Sequence, residues 1–297
     1  MITEQILTGW NNDPVKSDKV IYPQSKDNNA PKNYFLSIFC GSRGSGKSYL
    51  FTKLLKTLEE KKFYLFNKEI PQRIVLICST AQSDSNRIFK TLKHLDWNND
   101  VIEDYDDQLL LDKMEELKRD IQQSKDYKEY KAAWKHFKEC KNIDELNDDE
   151  LKLLHAYDFT PFRQLEKPKY PDGFVTHFVV DDMVGCSIFK NGRSVFTNLC
   201  IRNRHLIPGN IIISTQSMMM IPKTIRLNAN LIALFKFANK ESILDDVYPS
   251  VSAYVTEEKF KEMYDYATEQ PYNALVIDGT ENKILFKKNF DKILNIN

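Results

Sequence analysis

The sequence predicts an α/β fold built on a mainly parallel central sheet. Three observations lead there. Apolar runs of strand length recur along the chain with helix-periodic stretches between them, the pattern of strands buried on both faces by helices. A glycine-rich loop stands between the first such run and an amphipathic stretch. A polar, helix-periodic block then separates the second apolar run from the third, and reads as an insertion.

Residues 1–32 are polar, with Asn, Asp and Pro scattered through them, and read as an extended N-terminal arm with at most a short strand. Residues 33–297 form the domain proper. The run 33–40 (NYFLSIFC) is the first buried strand, and GSRGSGKS follows at once. Beyond it Leu50, Phe51, Leu54, Leu55 and Leu58 recur at helical spacing. Residues 73–80 (RIVLICST) give a second strand. From about 84 to 172 the character changes: 107–139 is rich in Lys, Glu, Gln and Leu, with Leu110, Met114, Leu117 and Ile121 on one face. One long helix or a helical hairpin is expected there, and a further helix over 144–157, before Pro161, Pro168, Pro171 and Gly173 break the chain. The core resumes with 176–182 (THFVVDD), a strand ending in two carboxylates. A helix is expected over 193–204, strands over 210–216 (NIIISTQ) and 230–237, and a helix near 257–266. Two last strands, 273–278 and 283–287, are joined by a turn.

A chain of 297 residues suits one large α/β domain or a core with an insertion, and 42% hydrophobic with 28% charged residues is an ordinary globular composition. The five cysteines, Cys40, Cys78, Cys140, Cys186 and Cys200, form no CxxC pair and no zinc spacing, so reduced thiols in an intracellular compartment are expected. His136 and Cys140 share a helix face but lack a second pair of metal ligands. The N-terminus lacks the basic and apolar blocks of a signal peptide, and no apolar run approaches the roughly 20 residues that span a bilayer. The formal net charge of zero hides an asymmetry. Residues 183–240 contain no Asp or Glu, yet carry Lys190, Arg193, Arg202, Arg204, Lys223, Arg226, Lys236 and Lys240. Buried strands exclude acids in any case; the functional reading is a one-sided basic surface facing a polyanion.

The loop Gly41–Ser48 matches GxxxxGK[ST] in full. Gly41, Gly44 and Gly46 let successive backbone N–H groups turn inward around phosphate oxygens, with Ser42, Arg43 and Ser45 between them. The helix that follows points its positive end at the same anion, and Tyr49 lies in its first turn. Lys47 can reach the β- and γ-phosphates of a nucleoside triphosphate such as ATP, and the Ser48 hydroxyl can ligate Mg²⁺. A Mg²⁺ beside the phosphates also needs a carboxylate at a strand end, a role that fits Asp181. Asp182 can then take a proton from, or orient, the attacking water; otherwise it only caps the next segment. Gln216 ends an apolar strand with an amide able to donate and accept, suited to sensing a γ-phosphate. Arg204 and Arg226 flank it in sequence and are candidates for an arginine finger supplied to a neighbouring subunit.

The order GSRGSGKS, FVVDDM, RNRH, IIISTQ and IRLNANLIALFK, over residues 34–236, resembles the FtsK–HerA superfamily of P-loop ATPases. Within it the motifs look most like the genome-packaging ATPases of large nucleocytoplasmic DNA viruses and their relatives. The resemblance implies a P-loop NTPase core and a homo-oligomeric ring that drives double-stranded DNA into a capsid. It also implies ATP and Mg²⁺ as cofactors, capsid proteins as partners, no membrane, and a place in the host cytoplasm or the virion. It implies a phosphate role for Lys47, Mg²⁺ roles for Ser48 and Asp181, catalysis by Asp182 and sensing by Gln216. Asp182 departs from the pattern, because superfamily members commonly carry Glu there. The insertion has no counterpart matched in detail.

Other classes use the same loop. In a degenerate GTPase, Asp182–Gly185 would be DxxG and Asn239–Lys240 would open NKxD, but Ser242 stands where the guanine-reading carboxylate belongs. A nucleotide kinase needs an Arg-rich lid, whereas the basic residues here surround Gln216. A slow nucleotide-gated scaffold would share the loop and differ in turnover.

Overall fold

The computed structural model of the protein describes residues 21–140, 142–183, 185–189, 194–237, 245–281 and 283–295. The strands are β1 (Leu36–Cys40), β2 (Phe63–Leu65), β3 (Lys68–Ile70), β4 (Gln72–Cys78), β5 (Val101–Ile102) and β6 (Val175–Asp181). They continue as β7 (Gly209–Thr215), β8 (Leu231–Phe235), β9 (Ala274–Asp278), β10 (Leu285–Lys288) and β11 (Lys292–Leu294). The α-helices are α1 (Lys47–Lys61), α2 (Asp107–Glu139), α3 (Asp148–Ala156), α4 (Val195–Ile201), α5 (Asn203–Leu206), α6 (Lys223–Asn228) and α7 (Glu257–Thr268).

Among the described residues nine strands form one sheet, ordered β11–β10–β9–β8–β1–β7–β6–β4–β5. From β8 to β5 every pairing is parallel. Beyond β8 the sheet continues antiparallel through β9, β10 and β11. The expected mainly parallel α/β sheet is therefore present, and β7 lies between the strand that enters the glycine-rich loop and the strand that ends in Asp181.

The strands are buried along their whole length in the middle of the sheet. Their side chains alternate between two apolar layers, as the pleat requires. Phe39 of β1, Leu76 of β4, Val179 of β6 and Ile212 of β7 join Leu50, Phe51, Leu54, Leu55 and Leu58 of α1 on one face. Ile38, Ile77, Val180 and Ile213 meet α2, α4, α6 and α7 on the other, through Leu110, Leu199, Ile225 and Phe260. Cores on both faces explain why these runs are continuously apolar rather than alternating.

The segment expected as a helical insertion contributes more than helices. Asp84–Thr91 is a 3₁₀ turn whose Phe89 stacks on Phe51 of α1, and β5 adds a strand to the sheet edge. The long polar block is one helix of 33 residues. Its first half packs on the sheet through Leu110, Met114 and Leu117, while its second half and α3 share a small separate cluster around Tyr130, Ala133 and Leu154. The stretch expected as one helix over 193–204 is α4 and α5, with Arg202 non-helical between them. Of the expected arm, residues 1–20 lie outside the described residues, and Gln24 bridges Tyr64 of β2.

Candidate functional site

β1 delivers the chain to the glycine-rich loop at the carboxyl end of the parallel sheet, where open α/β sheets take their ligands. The Gly41 N–H donates to Thr215 O at 3.1 Å, so the loop's start is tied to the end of β7. Gly41 has no room for a side chain: a Cβ there would lie 2.5 Å from Ser45 Oγ and 2.7 Å from Phe235 Cβ. Gly46 caps α1 with φ 98°, a left-handed conformation that glycine adopts without steric cost. The free N–H groups of the α1 terminus and its dipole then face the loop. Lys47 Nζ donates to Gly41 O at 2.8 Å and to Ser42 O at 3.0 Å. Burial lowers the Lys47 pKa, while Asp181, Cys40 and Asp182 act in the opposite direction.

Asp181 ends β6 and is buried; its Oδ2 accepts a 2.7 Å hydrogen bond from Ser48 Oγ. Burial raises its pKa, against hydrogen bonds from Ser214 and Ser48 and the charge of Lys47. One carboxylate and one hydroxyl, both hard oxygens, suit Mg²⁺, which retains several waters and takes its remaining ligands from phosphates. Among the described residues no three His, Cys, Asp or Glu side chains gather as a metal cage. Ser48 and Asp181, joined by their hydrogen bond, are the residues that could hold such an ion.

Asp182 is exposed and sits at φ 54°, in the left-handed region. Thr80 Oγ1 donates to its Oδ2 at 3.1 Å and Ser79 Oγ donates to its backbone O at 3.0 Å. Gln216 is exposed just beyond β7. A cleft of about 370 Å³ brings Arg43, Gly44, Gly46, Lys47, Ser48 and Tyr49 together with Thr80, Asp181, Asp182, Ser214 and Gln216. Ser42 and Ser45 face a neighbouring cleft.

The two arginines are elsewhere. Arg204 is exposed on α5, which precedes the amino end of β7. The seven residues of β7 span about 20 Å at roughly 3.3 Å each, so Arg204 lies a strand's length from Gln216. Arg226 is partly buried on α6, its Nη1 3.6 Å from Asp246 Oδ1 and its Nε buried without a hydrogen-bond partner. Lys190, Arg193 and the Asn239–Lys240 pair fall outside the described residues.

Sequence reasoning missed Ser79, Thr80 and Ser214. The signal for Ser214 was at hand in the STQ strand end. Ser79 and Thr80 follow an apolar strand in the same way, but only the pairing of Cys78 with Asp181 reveals that they come beside Asp182.

No protein-family model matches the chain, and no curated protein matches it. Among solved structures, it is similar to the genome packaging NTPase B204 from Sulfolobus turreted icosahedral virus 2 in complex with ATP-gammaS. That match has 18% identity and a TM-score of 0.45, covering 90% of this chain and 100% of that one. The same NTPase in complex with sulfate matches at 16% identity and a TM-score of 0.46, over 88% of this chain and 98% of the other. EssC (ATPases 2 and 3) from Geobacillus thermodenitrificans matches at 17% identity and a TM-score of 0.44. There 86% of this chain covers 39% of that one.

Proposed function

We propose that this chain hydrolyses ATP with Mg²⁺ in the cleft at Lys47 and uses the energy to move double-stranded DNA, as the packaging motor of a viral capsid assembled into a homo-oligomeric ring. The observation that carries the hydrolytic part is the 2.7 Å bond from Ser48 Oγ to Asp181 Oδ2 in the cleft that also holds Lys47 and Asp182. A hydroxyl, a carboxylate, an ammonium and the N-terminus of a helix converging on one cleft form a site for a magnesium–triphosphate chain. Lys47 exchanges the carbonyls of Gly41 and Ser42 for phosphate oxygens. Ser48 and Asp181 would hold Mg²⁺, which would supply charge neutralisation for the phosphates. Asp182 orients the attacking water or accepts its proton. The Gln216 amide responds to the γ-phosphate from the end of β7, between β1, which leads into the loop before Lys47, and β6, which carries Asp181. The DNA part rests on the motif order and on the cations of the acid-free stretch, of which Arg202, Arg204, Lys223 and Lys236 are exposed. Among the described residues no helix is long and apolar enough to cross a membrane.

Steady-state turnover with and without duplex DNA tests this reading. ATP hydrolysis should require Mg²⁺, rise with DNA and vanish in Lys47→Ala. One observation favours a slow nucleotide-gated scaffold instead: the Asp182 carboxylate is already engaged by Thr80. Slow turnover that DNA leaves unchanged would select that second reading.

A further inference from the structure

A second cleft, of about 470 Å³, adjoins the first and shares the wall formed by Arg43 and Gly44. Its far side holds Lys236, Glu269 and Tyr272. β9 is antiparallel to β8, with Ala274 opposite Phe235, so the start of β9 reaches the sheet end where β1 enters the P-loop. Tyr272, two residues before β9, is thereby set against the loop: a Cβ on Gly46 would lie 3.2 Å from Tyr272 Cβ and 3.3 Å from its Cδ1. The residue adopts φ 66°, a left-handed conformation that strains a bulky L-residue. Yet Tyr272 is 66% exposed, so burial of the ring does not offset that cost.

We infer that this cleft receives the nucleoside half of the nucleotide, with the base stacked on Tyr272; the inference rests on the nucleotide reading of the P-loop. The triphosphate's direction follows from the first cleft. Ser48, Asp181 and Gln216 fix the Mg²⁺ and γ-phosphate end on the β6–β7 side. A chain that crosses the loop from there leaves on the β8–β9 side, at Tyr272. An aromatic face stacks a base with little regard to sequence or edge chemistry. The Glu269 carboxylate disfavours phosphate in this cleft and offers an acceptor to ribose hydroxyls, while Lys236 offers a donor to a base edge.

Calorimetric titration of the full chain with ATP and with inorganic tripolyphosphate, both with Mg²⁺, tests the assignment. Tyr272→Ala should weaken ATP binding about tenfold and leave tripolyphosphate binding unchanged. Tyr272→Leu, which keeps bulk against Gly46 without a π face, should do the same, and Tyr272→Phe should stay within about twofold of the parent for both ligands. Equal weakening of ATP and tripolyphosphate would make Tyr272 a mere support of the loop and overturn the inference. So would unchanged ATP affinity in Tyr272→Ala, or a base-dependent loss found in Tyr49→Ala instead. Lys47→Ala separates the two levels of failure. If it weakens both ligands while Tyr272→Ala weakens neither, only the base platform is wrong; if Lys47→Ala weakens neither ligand, the nucleotide reading itself falls.

Discussion

Asp182 holds a left-handed backbone conformation that costs most L-residues about 1–3 kcal/mol, though aspartate tolerates it better than others. The turn separates the fates of two adjacent acids: Asp181 is buried on Ser48, and Asp182 is exposed beside Thr80. Asp182→Asn keeps the size and the local turn and removes the carboxylate that the proposed hydrolysis uses. It should retain Mg·ATP binding and lose about two orders of magnitude in turnover, measured as kcat beside a binding titration. Unchanged kcat would remove Asp182 from the chemistry. The acidic pair was legible in the sequence because two carboxylates at the end of an apolar run have few structural uses. The Thr80 contact was not, because it joins residues 102 apart. A second residue prediction concerns His177, fully buried on β6 between Gln72 and Asn210, with Nε2 2.9 Å from Gln72 Oε1. Burial pushes its pKa down to about 3 from 6.5, so the folded protein holds it neutral. Between those values the unfolded chain binds the extra proton, and stability falls as pH drops below about 6.5. The loss from this group between pH 7 and 5 should be about 2 kcal/mol, read from urea midpoints. His177→Gln should flatten that slope; an unaltered slope would show that other groups carry it.

At the scale of elements, long periodic segments were legible and short ones were not. The helix over 107–139 announces itself by repeated apolar spacing, and the strands β1, β4, β6 and β7 by continuous apolar runs. The two residues of β5 carry no periodicity, and their place depends on the parallel partner β4. The insertion is anchored there by a polar device. Arg73 of β4 is buried and donates to Asp100, Glu116 and Asp120, which fastens the first half of α2 to the sheet beside β5. Asp100 is as buried as the arginine, with side chains 2% and 3% exposed. Arg73→Ala would leave that carboxylate without its bidentate partner. Breaking one side of a buried pair costs about 3–5 kcal/mol, and the urea midpoint should fall accordingly. Because the network lies at the amino end of β4, far from Lys47, ATP affinity of the folded fraction should not change. A stability loss under about 1 kcal/mol would mean that Lys113, 3.3 Å from Asp100 Oδ1, is a sufficient substitute.

At the scale of the whole molecule the question is what the exposed arginines can reach. Arg204 stands about one strand's length from its own Gln216, too far for a side chain to act in cis on the γ-phosphate. Arg226 is held within its own chain by Asp246. A finger supplied in trans must be exposed and uncommitted to a deep partner, and of the two arginines Arg204 meets the first condition more fully. In the proposed ring, Arg204→Ala should leave ATP binding intact and lower hydrolysis by about a thousandfold, within the range of arginine fingers. Arg226→Ala should instead act on stability, through the loss of its pair with Asp246. Mixing distinguishes a trans role from a local one. Arg204→Ala subunits retain the cleft, and Lys47→Ala subunits retain the finger, so co-assembled rings should recover part of the hydrolysis that neither variant shows alone. Recovery also requires the species to associate, which sedimentation of the mixture measures directly. If mixed assemblies form and stay inactive, or if Arg204→Ala hydrolyses ATP at the parent rate, Arg204 is not the trans group. The exposed cations of the acid-free stretch must then be read through DNA phosphates alone, where each lost contact lowers the salt dependence of binding by about one counterion.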